Sequence, residues 1–257
     1  MKHRFEEFLA LHQQSEPLLI GNVWDVPSAI VFEKQGFAAL GTSSASVAET
    51  LGYADGEAMS FDEYLFVVKH IADHSKLPLS VDLESGYADT PEGIAANLQR
   101  LHAAGVCGVN LEDSEIVDGN RSIVDAKKFT EKISRVISIL NAGNIKMFIN
   151  LRCDPFILGL PNALEEVLSR IELYQSTQAH GLFVPCITAI EDMRKVCQKS
   201  KLPINVMCMP NLPDFNEMKN AGVKRISMGP FLSRNVYKQM ESSVERILSD
   251  KSFKSLF

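Results

Sequence analysis

Acidic side chains that close short apolar runs are the first candidates for chemistry. Pro78-Leu79-Ser80-Val81 runs into Asp82 and then Glu84, and Gly108-Val109-Asn110-Leu111 runs into Glu112. In an extended chain alternate side chains leave on the same side, so Asp82 and Glu84 are expected to point together. With Glu112 beside them, three anions would converge and raise one another's pKa. A hard divalent cation relieves that repulsion: Mg2+, with Mn2+ as its substitute, takes oxygen ligands and keeps several waters. Asp82, Glu84 and Glu112 are therefore the candidate metal ligands. A third run, Lys146 to Leu151, ends on Arg152. Its planar guanidinium can grip a carboxylate or phosphonate in bidentate fashion; the alternative is a structural ion pair to Glu112 or Asp154. Thr42, Ser43 and Ser44 end another run, offering hydroxyls and backbone N–H groups to a substrate's oxygens, or plain turn chemistry. Trp24 and Asp25 end the first run and complete the candidate substrate contacts. Asp55 lies in a loop flanked by Gly52 and Gly56, the kind of segment that can close over a site.

Such residues need a frame that brings strand ends together. Eight short runs qualify as strands buried on both faces: 18–24, 37–42, 78–82, 108–112, 146–152, 181–185, 203–208 and 225–229. Helical periodicity lies between them, at 27–35, 60–75, 90–104, 125–142, 162–178, 188–200 and 213–221. Ser60-Phe61-Asp62-Glu63 reads as a capping box and Thr90-Pro91 as an N-cap with proline at the first helical position. Glycines at 36, 105, 181 and 222 read as C-caps that turn a helix into the next strand. Alternating β and α units without a break in composition predict an α/β fold, one (β/α)8 barrel domain over 1–257. An open doubly wound sheet would usually carry a glycine-rich phosphate loop after its first strand, and Asn22-Val23-Trp24-Asp25-Val26-Pro27 is not one. The C-terminal segment 231–257 begins as an amphipathic helix, suited to closing the outer ring or to packing on a neighbouring subunit. Barrel enzymes keep their reactive groups at the C-terminal strand ends, where the candidates above fall.

Composition narrows the field. Of 257 residues, 26 are basic and 32 acidic, a net charge of −6, which argues against nucleic acid as a partner. No apolar run is long enough to span a membrane. The basic start, Met1 to Glu7, has no apolar core behind it and does not read as a signal peptide, so a cytoplasmic location is expected. Five cysteines with no C-x-x-C pair fit reduced thiols. His70 and His74, four apart, read as a solvated helix face rather than a metal pair, with no acidic third ligand at useful spacing.

Taken in order, these stretches resemble the isocitrate lyase / phosphoenolpyruvate mutase superfamily. They are Gly41-Thr42-Ser43-Ser44, Leu51-Gly52-Tyr53-Ala54-Asp55, Val81 to Tyr87, Asn110-Leu111-Glu112-Asp113-Ser114 and Ile149-Asn150-Leu151-Arg152, within a similarity from about residue 15 to 248. The resemblance implies that Asp82 lies nearest Mg2+, with Glu84 and Glu112 bound directly or through water. It implies that Thr42, Ser43 and Ser44 hold the substrate carboxylate, that Arg152 meets an α-keto acid or its enolate, and that Asp55 sits over the reacting bond. It implies a lyase, decarboxylase or phosphonomutase acting on an oxaloacetate- or phosphonopyruvate-like substrate by C–C or P–C bond chemistry. It also implies a homo-oligomer, dimer or tetramer, with the helix from Phe231 exchanged between neighbours.

Two departures matter. The family's lyases carry K-[KR]-C-G-H after the fourth strand, whereas Ser114 to Ser122 holds no cysteine or histidine, so true isocitrate or methylisocitrate lyase activity is not expected. The loop's Asn120 and Arg121 only loosely echo the lysine and asparagine of the phosphonomutases. Glu84 also replaces an aspartate in the family's D-x-D-x-G-[YF]. Competing readings are a keto-acid-binding barrel without turnover, cysteine catalysis through Cys153, Cys186 or Cys208, and Schiff-base chemistry, for which Lys146 and Lys224 stand at the wrong strand ends.

Overall fold

Eight parallel strands close on themselves in the order β1-β10-β9-β8-β7-β4-β3-β2. The computed structural model describes residues 4–117 and 119–257. In chain order the strands are β1 (Leu18–Val23), β2 (Ala39–Thr42), β3 (Leu79–Asp82), β4 (Gly108–Glu112), β5 (Ser114–Val117), β6 (Asn120–Ile123), β7 (Phe148–Arg152), β8 (Gly181–Phe183), β9 (Ile204–Met207) and β10 (Arg225–Ser227). Each apolar run of the sequence supplies one barrel strand, equal to the run or shorter by one or two residues. Register sets the site: Asp82 lies level with Asn110, and Glu112 with Arg152.

Between β4 and α6 the chain forms an antiparallel hairpin, β5 with β6. It carries Arg121 and was not anticipated, because its register sets apolar residues mostly against polar ones, as Ile116 against Arg121, and gives no apolar face to read. Asp118, between β5 and β6 in the sequence, lies outside the described residues.

The helices are α1 (Phe5–Leu11), α2 (Val26–Lys34), α3 (Ser44–Leu51), α4 (Phe61–His74), α5 (Pro91–Ala103), α6 (Ala126–Ala142), α7 (Ala163–Tyr174), α8 (Ile190–Lys199), α9 (Phe215–Ala221) and α10 (Phe231–Asp250). The predicted caps form: Ser60 and Glu63 exchange bonds in a capping box, and the Thr90 hydroxyl accepts from Gly93 N–H. Two helices were missed. Helix α1 is a single short element ahead of β1; its Phe8 plugs the lower end of the barrel against Ile20, Cys107 and Phe148. Helix α3 begins inside what read as a serine-rich turn, because Ser43 accepts from Ser46 N–H and so caps it.

One predicted cap fails. Before β8 the left-handed residue is Gln178, at φ 67°, not Gly181. Gly181 serves close packing instead: a Cβ there would stand 2.6 Å from Asn150 Oδ1.

Helix α10 runs 20 residues with only Ser233 buried. Its base is fixed to α3 by Ser233 Oγ on Ser46 Oγ at 2.6 Å and by an Arg234–Glu49 ion pair at 2.6 Å. Beyond that, Val236, Met240, Val244 and Leu248 form an uncovered apolar stripe, Leu248 being 72% exposed. The outer ring of this chain does not cover it. Among the described residues no helix is long and apolar enough to cross a membrane.

Candidate active site

The middle of the barrel is unusually polar. Asn150 Nδ2 donates to Asn110 Oδ1 at 2.9 Å and to Asn205 Oδ1 at 3.2 Å, and Asn110 Nδ2 donates to Asp82 Oδ1 at 3.1 Å. Branched apolar side chains usually fill this layer. Here an asparagine ladder rises through it and ends on the Asp82 carboxylate. The other carboxylate oxygen, Oδ2, accepts from Ser44 Oγ at 2.9 Å. Both partners are neutral, and no ion pair forms on Asp82 among the described residues, although its charge reaches Arg152 and Arg225.

Glu84 does not follow Asp82 onto the same face. Strand β3 stops at Asp82, and Glu84 has φ 51°, a left-handed conformation that costs a non-glycine residue energy. The expectation of two alternating side chains is corrected on that ground. The turn is held by its surroundings: Glu112 N–H donates to the Glu84 carbonyl at 2.9 Å, and Glu57 accepts from Ser85 N–H and Tyr87 N–H. The Glu84 side chain is buried, Oε1 accepting from the Tyr87 hydroxyl at 3.2 Å while Oε2 has no partner. Burial, then the charges of Asp55, Glu112, Asp82 and Glu57, push its pKa up to about 9.

Glu112 is neutralised by arginine. Arg152 Nη1 meets its Oε2 at 2.7 Å, and Arg121, reaching in from β6, pairs with its Oε1. Arg152 Nε also binds Asp154 at 2.7 Å, and Arg121 lies 3.6 Å from the same carboxyl group. Burial still raises the Glu112 pKa, against the pull of Arg152. The structural ion pair weighed for Arg152 is thus present, and Arg121 is a participant the sequence reading underrated. Asp113 turns the other way: it accepts from Tyr174 at 2.6 Å and from Arg170 at 3.1 Å, and burial raises its pKa to about 6.

Two cavities lie at these strand ends. One, of about 260 Å³, is lined by Thr42, Ser43, Ser44, Asp55, Asp82 and Arg152, with Cys186 and Arg225 among its other walls. A neighbouring space of about 450 Å³ is lined by Glu84, Glu112, Glu57 and Glu115 with Lys132 opposite. The expected trio of acids is therefore split between two cavities. Among the described residues no three His, Cys, Asp or Glu side chains form a ready set of metal ligands. Mg2+ commonly binds through only one or two carboxylates and keeps its waters. Asp82, in no ion pair and with the Ser43 and Ser44 hydroxyls lining the same cavity, fits an ion held in that sparse way; a direct three-acid cage does not fit.

Asp55 stands at the rim of the smaller cavity, and loss of water around its carboxyl, then the charge of Asp82, raises its pKa. Trp24 and Asp25 do not line the cavity. Trp24 packs into the core, and Asp25 caps α2 by accepting from Ser28 N–H at 2.7 Å. Thiolate chemistry gains nothing: burial raises the thiols of Cys186 and, strongly, Cys153. Lys146 and Lys224 are engaged at the lower end, with Glu6 and the Gln14 carbonyl.

A closed α/β barrel with acids and an arginine at the C-terminal strand ends defines the class of barrel proteins whose chemistry is built on those ends. Within that class the chain belongs to the phosphoenolpyruvate phosphomutase family, whose model matches residues 8–248. Among solved structures, a Burkholderia cenocepacia protein provisionally assigned as a phosphonomutase superposes with a TM-score of 0.89 at 34% identity, covering 95% of this chain and 100% of that one. An uncharacterised Mycobacterium tuberculosis protein is 29% identical over 86% of this chain and 81% of its own length. The oxaloacetate decarboxylase of a Bradyrhizobium species is 28% identical over 72% and 64%. The 2-methylisocitrate lyase of Salmonella typhimurium is 24% identical over 82% and 70%. Relatives of this chain are thus lyases, mutases and decarboxylases.

Proposed function

We propose that this protein is a Mg2+-dependent lyase, decarboxylase or phosphonomutase acting on a small α-keto acid or phosphonate, of oxaloacetate or phosphonopyruvate type. The observation that carries the reading is Asp82: a carboxylate held by neutral donors, in no ion pair, in a cavity it shares with Arg152. A divalent ion bound there would supply Lewis acidity toward a keto oxygen. Ser43, whose hydroxyl accepts from Ser46, keeps its own hydrogen to offer to the substrate carboxylate, whereas the Ser44 hydroxyl is already given to Asp82. Arg152, fixed by Glu112 and Asp154, presents a preorganised positive charge to the oxygen on which charge develops. Asp55, its pKa raised, can hold a proton at the rim and pass it to carbon. The shared presence of oxaloacetate decarboxylase among the relatives supports a keto diacid. The absence of cysteine and histidine from 114–122 speaks against methylisocitrate cleavage.

A second reading is favoured by the Arg121–Glu112 pair, which holds one of the candidate acids in a closed charge pair: a keto-acid binder without turnover. NMR of the protein with oxaloacetate, phosphonopyruvate and methylisocitrate, each with and without Mg2+, separates the two. Metal-dependent product from one of the first two supports the enzyme; saturable binding with no product supports the binder. Methylisocitrate cleavage would overturn the substrate assignment. The apolar stripe of α10 supports a homo-oligomer.

A further inference from the structure

Three arginines are buried among the described residues: Arg152, Arg170 and Arg225. Arg152 and Arg170 each carry carboxylate partners within 3.1 Å. Arg225 has none. It opens β10, level with Asn205 of β9, is 2% exposed, and lines the smaller cavity beneath Asp82. Its Nε and Nη1 have no hydrogen-bond partner, and neither has the buried Ser80 hydroxyl. Below it lies the ring of Phe8, 5.9 Å from the guanidinium carbon, which gives a cation a soft contact but no acceptor. Burial lowers its pKa only to about 10, so the group is cationic at neutral pH.

From this geometry we propose that Arg225 forms an anion subsite at the floor of the cavity and takes the second acidic group of a dianionic ligand. A guanidinium has five donors and no acceptor, so a buried one calls for an anion or polar oxygens around it. The Asn205 side chain does not serve: its amide donates to Ser227 Oγ, its oxygen takes the bond from Asn150, and neither Nε nor Nη1 of Arg225 bonds to it. Asp82 is the acid whose charge reaches Arg225, and it belongs to the mouth. The cavity thus has a cation at the rim, Arg152, a carboxylate on its wall, Asp82, and a cation at the floor, Arg225. A ligand with an acidic group at each end matches that order; a monocarboxylate bound at the mouth, where Glu112 and Asp154 already hold Arg152, leaves Arg225 unanswered. The dianion assignment rests on the cavity being the keto-acid site, whereas the subsite itself rests on Arg225 alone.

The test uses the metal-free protein, so that it does not depend on turnover. The Arg225 Nε–H resonance is followed by NMR during titration with inorganic phosphate, malonate and acetate at constant ionic strength. Phosphate and malonate are expected to shift it saturably, malonate binding at least tenfold tighter than acetate. In Arg225→Met that preference is lost; in Arg225→Lys, which keeps the charge, it is partly retained. A resonance that does not move with phosphate or malonate overturns the proposal, even if Arg225→Met fails to fold. Equal affinity for malonate and acetate leaves a simple inorganic-anion site and overturns the dianion assignment. In Asp82→Asn, anion binding is expected to persist and tighten. A protein that binds malonate at Arg225 yet turns over no keto acid would retire the proposed reaction and leave the subsite standing.

Discussion

The Thr42 hydroxyl lies 2.6 Å from the Tyr64 hydroxyl, and the two close a ring around the backbone of Asp82. Tyr64 donates to the Asp82 carbonyl at 3.0 Å, so Thr42 must donate to Tyr64; the Thr42 oxygen in turn accepts from Asp82 N–H at 3.0 Å. Every proton in the ring is assigned. Thr42, whose type and place suggested a substrate ligand, is committed to holding the backbone of Asp82 still. Replacing Tyr64 by Phe leaves both the Asp82 carbonyl and the Thr42 hydroxyl short of a partner. The expected loss is about 1–3 kcal/mol of stability by urea denaturation, with kcat falling more than KM rises. A variant with unchanged stability and unchanged kcat would show that the ring is dispensable.

Asp82→Asn keeps the shape and removes the charge. Mn2+ binding, read by electron paramagnetic resonance, is expected to disappear, and kcat/KM to fall by roughly a hundredfold or more. Full activity in this variant would contradict the assignment of Asp82.

Arg121 opposes a dication by its charge and by occupying Glu112. Arg121→Gln is therefore expected to tighten Mn2+ binding by roughly tenfold, about 1.4 kcal/mol. Weaker binding would mean that Arg121 helps to build the ion's site instead of competing with it.

The raised pKa of Glu84 makes a signed prediction. Its carboxyl titrates near 4.5 when unfolded and about 9 when folded. The folded state therefore binds the proton more tightly, and that contribution is full below pH 4.5 and lost as pH rises toward 9. Metal-free protein should lose stability across that window, and Glu84→Gln should flatten the curve. Mg2+ should restore stability at the alkaline end, as a ligand that binds only the folded state. Parallel curves for wild type and variant would refute the assignment.

The bare face of α10 predicts association. Met240→Lys, which changes only exposed surface of the chain, is expected to lower the mass measured by light scattering without altering the barrel's circular dichroism. An unchanged mass would place the interface elsewhere.

The barrel was legible because its strands are buried on both faces, so each announces itself as an apolar run. The helices with caps and amphipathic spacing were legible for the same local reasons. What escaped was set by tertiary contacts. The left-handed turn at Glu84 is imposed by Glu57 and by β4, and nothing in Asp82-Leu83-Glu84 signals it. Arg121 read as a loop residue until the hairpin carried it onto Glu112. Trp24 and Asp25 stand at a strand end as predicted, but α2 starts so soon after β1 that one is drawn into the core and the other into a cap.

The hairpin that bears Arg121 leaves the barrel at Ser114, two residues past Glu112. Any swing of that arm away from the strand ends would carry one positive charge out of the mouth. Widening the entrance and making the interior more attractive to a dication would then be one and the same displacement. Electrostatics and access would share a single hinge.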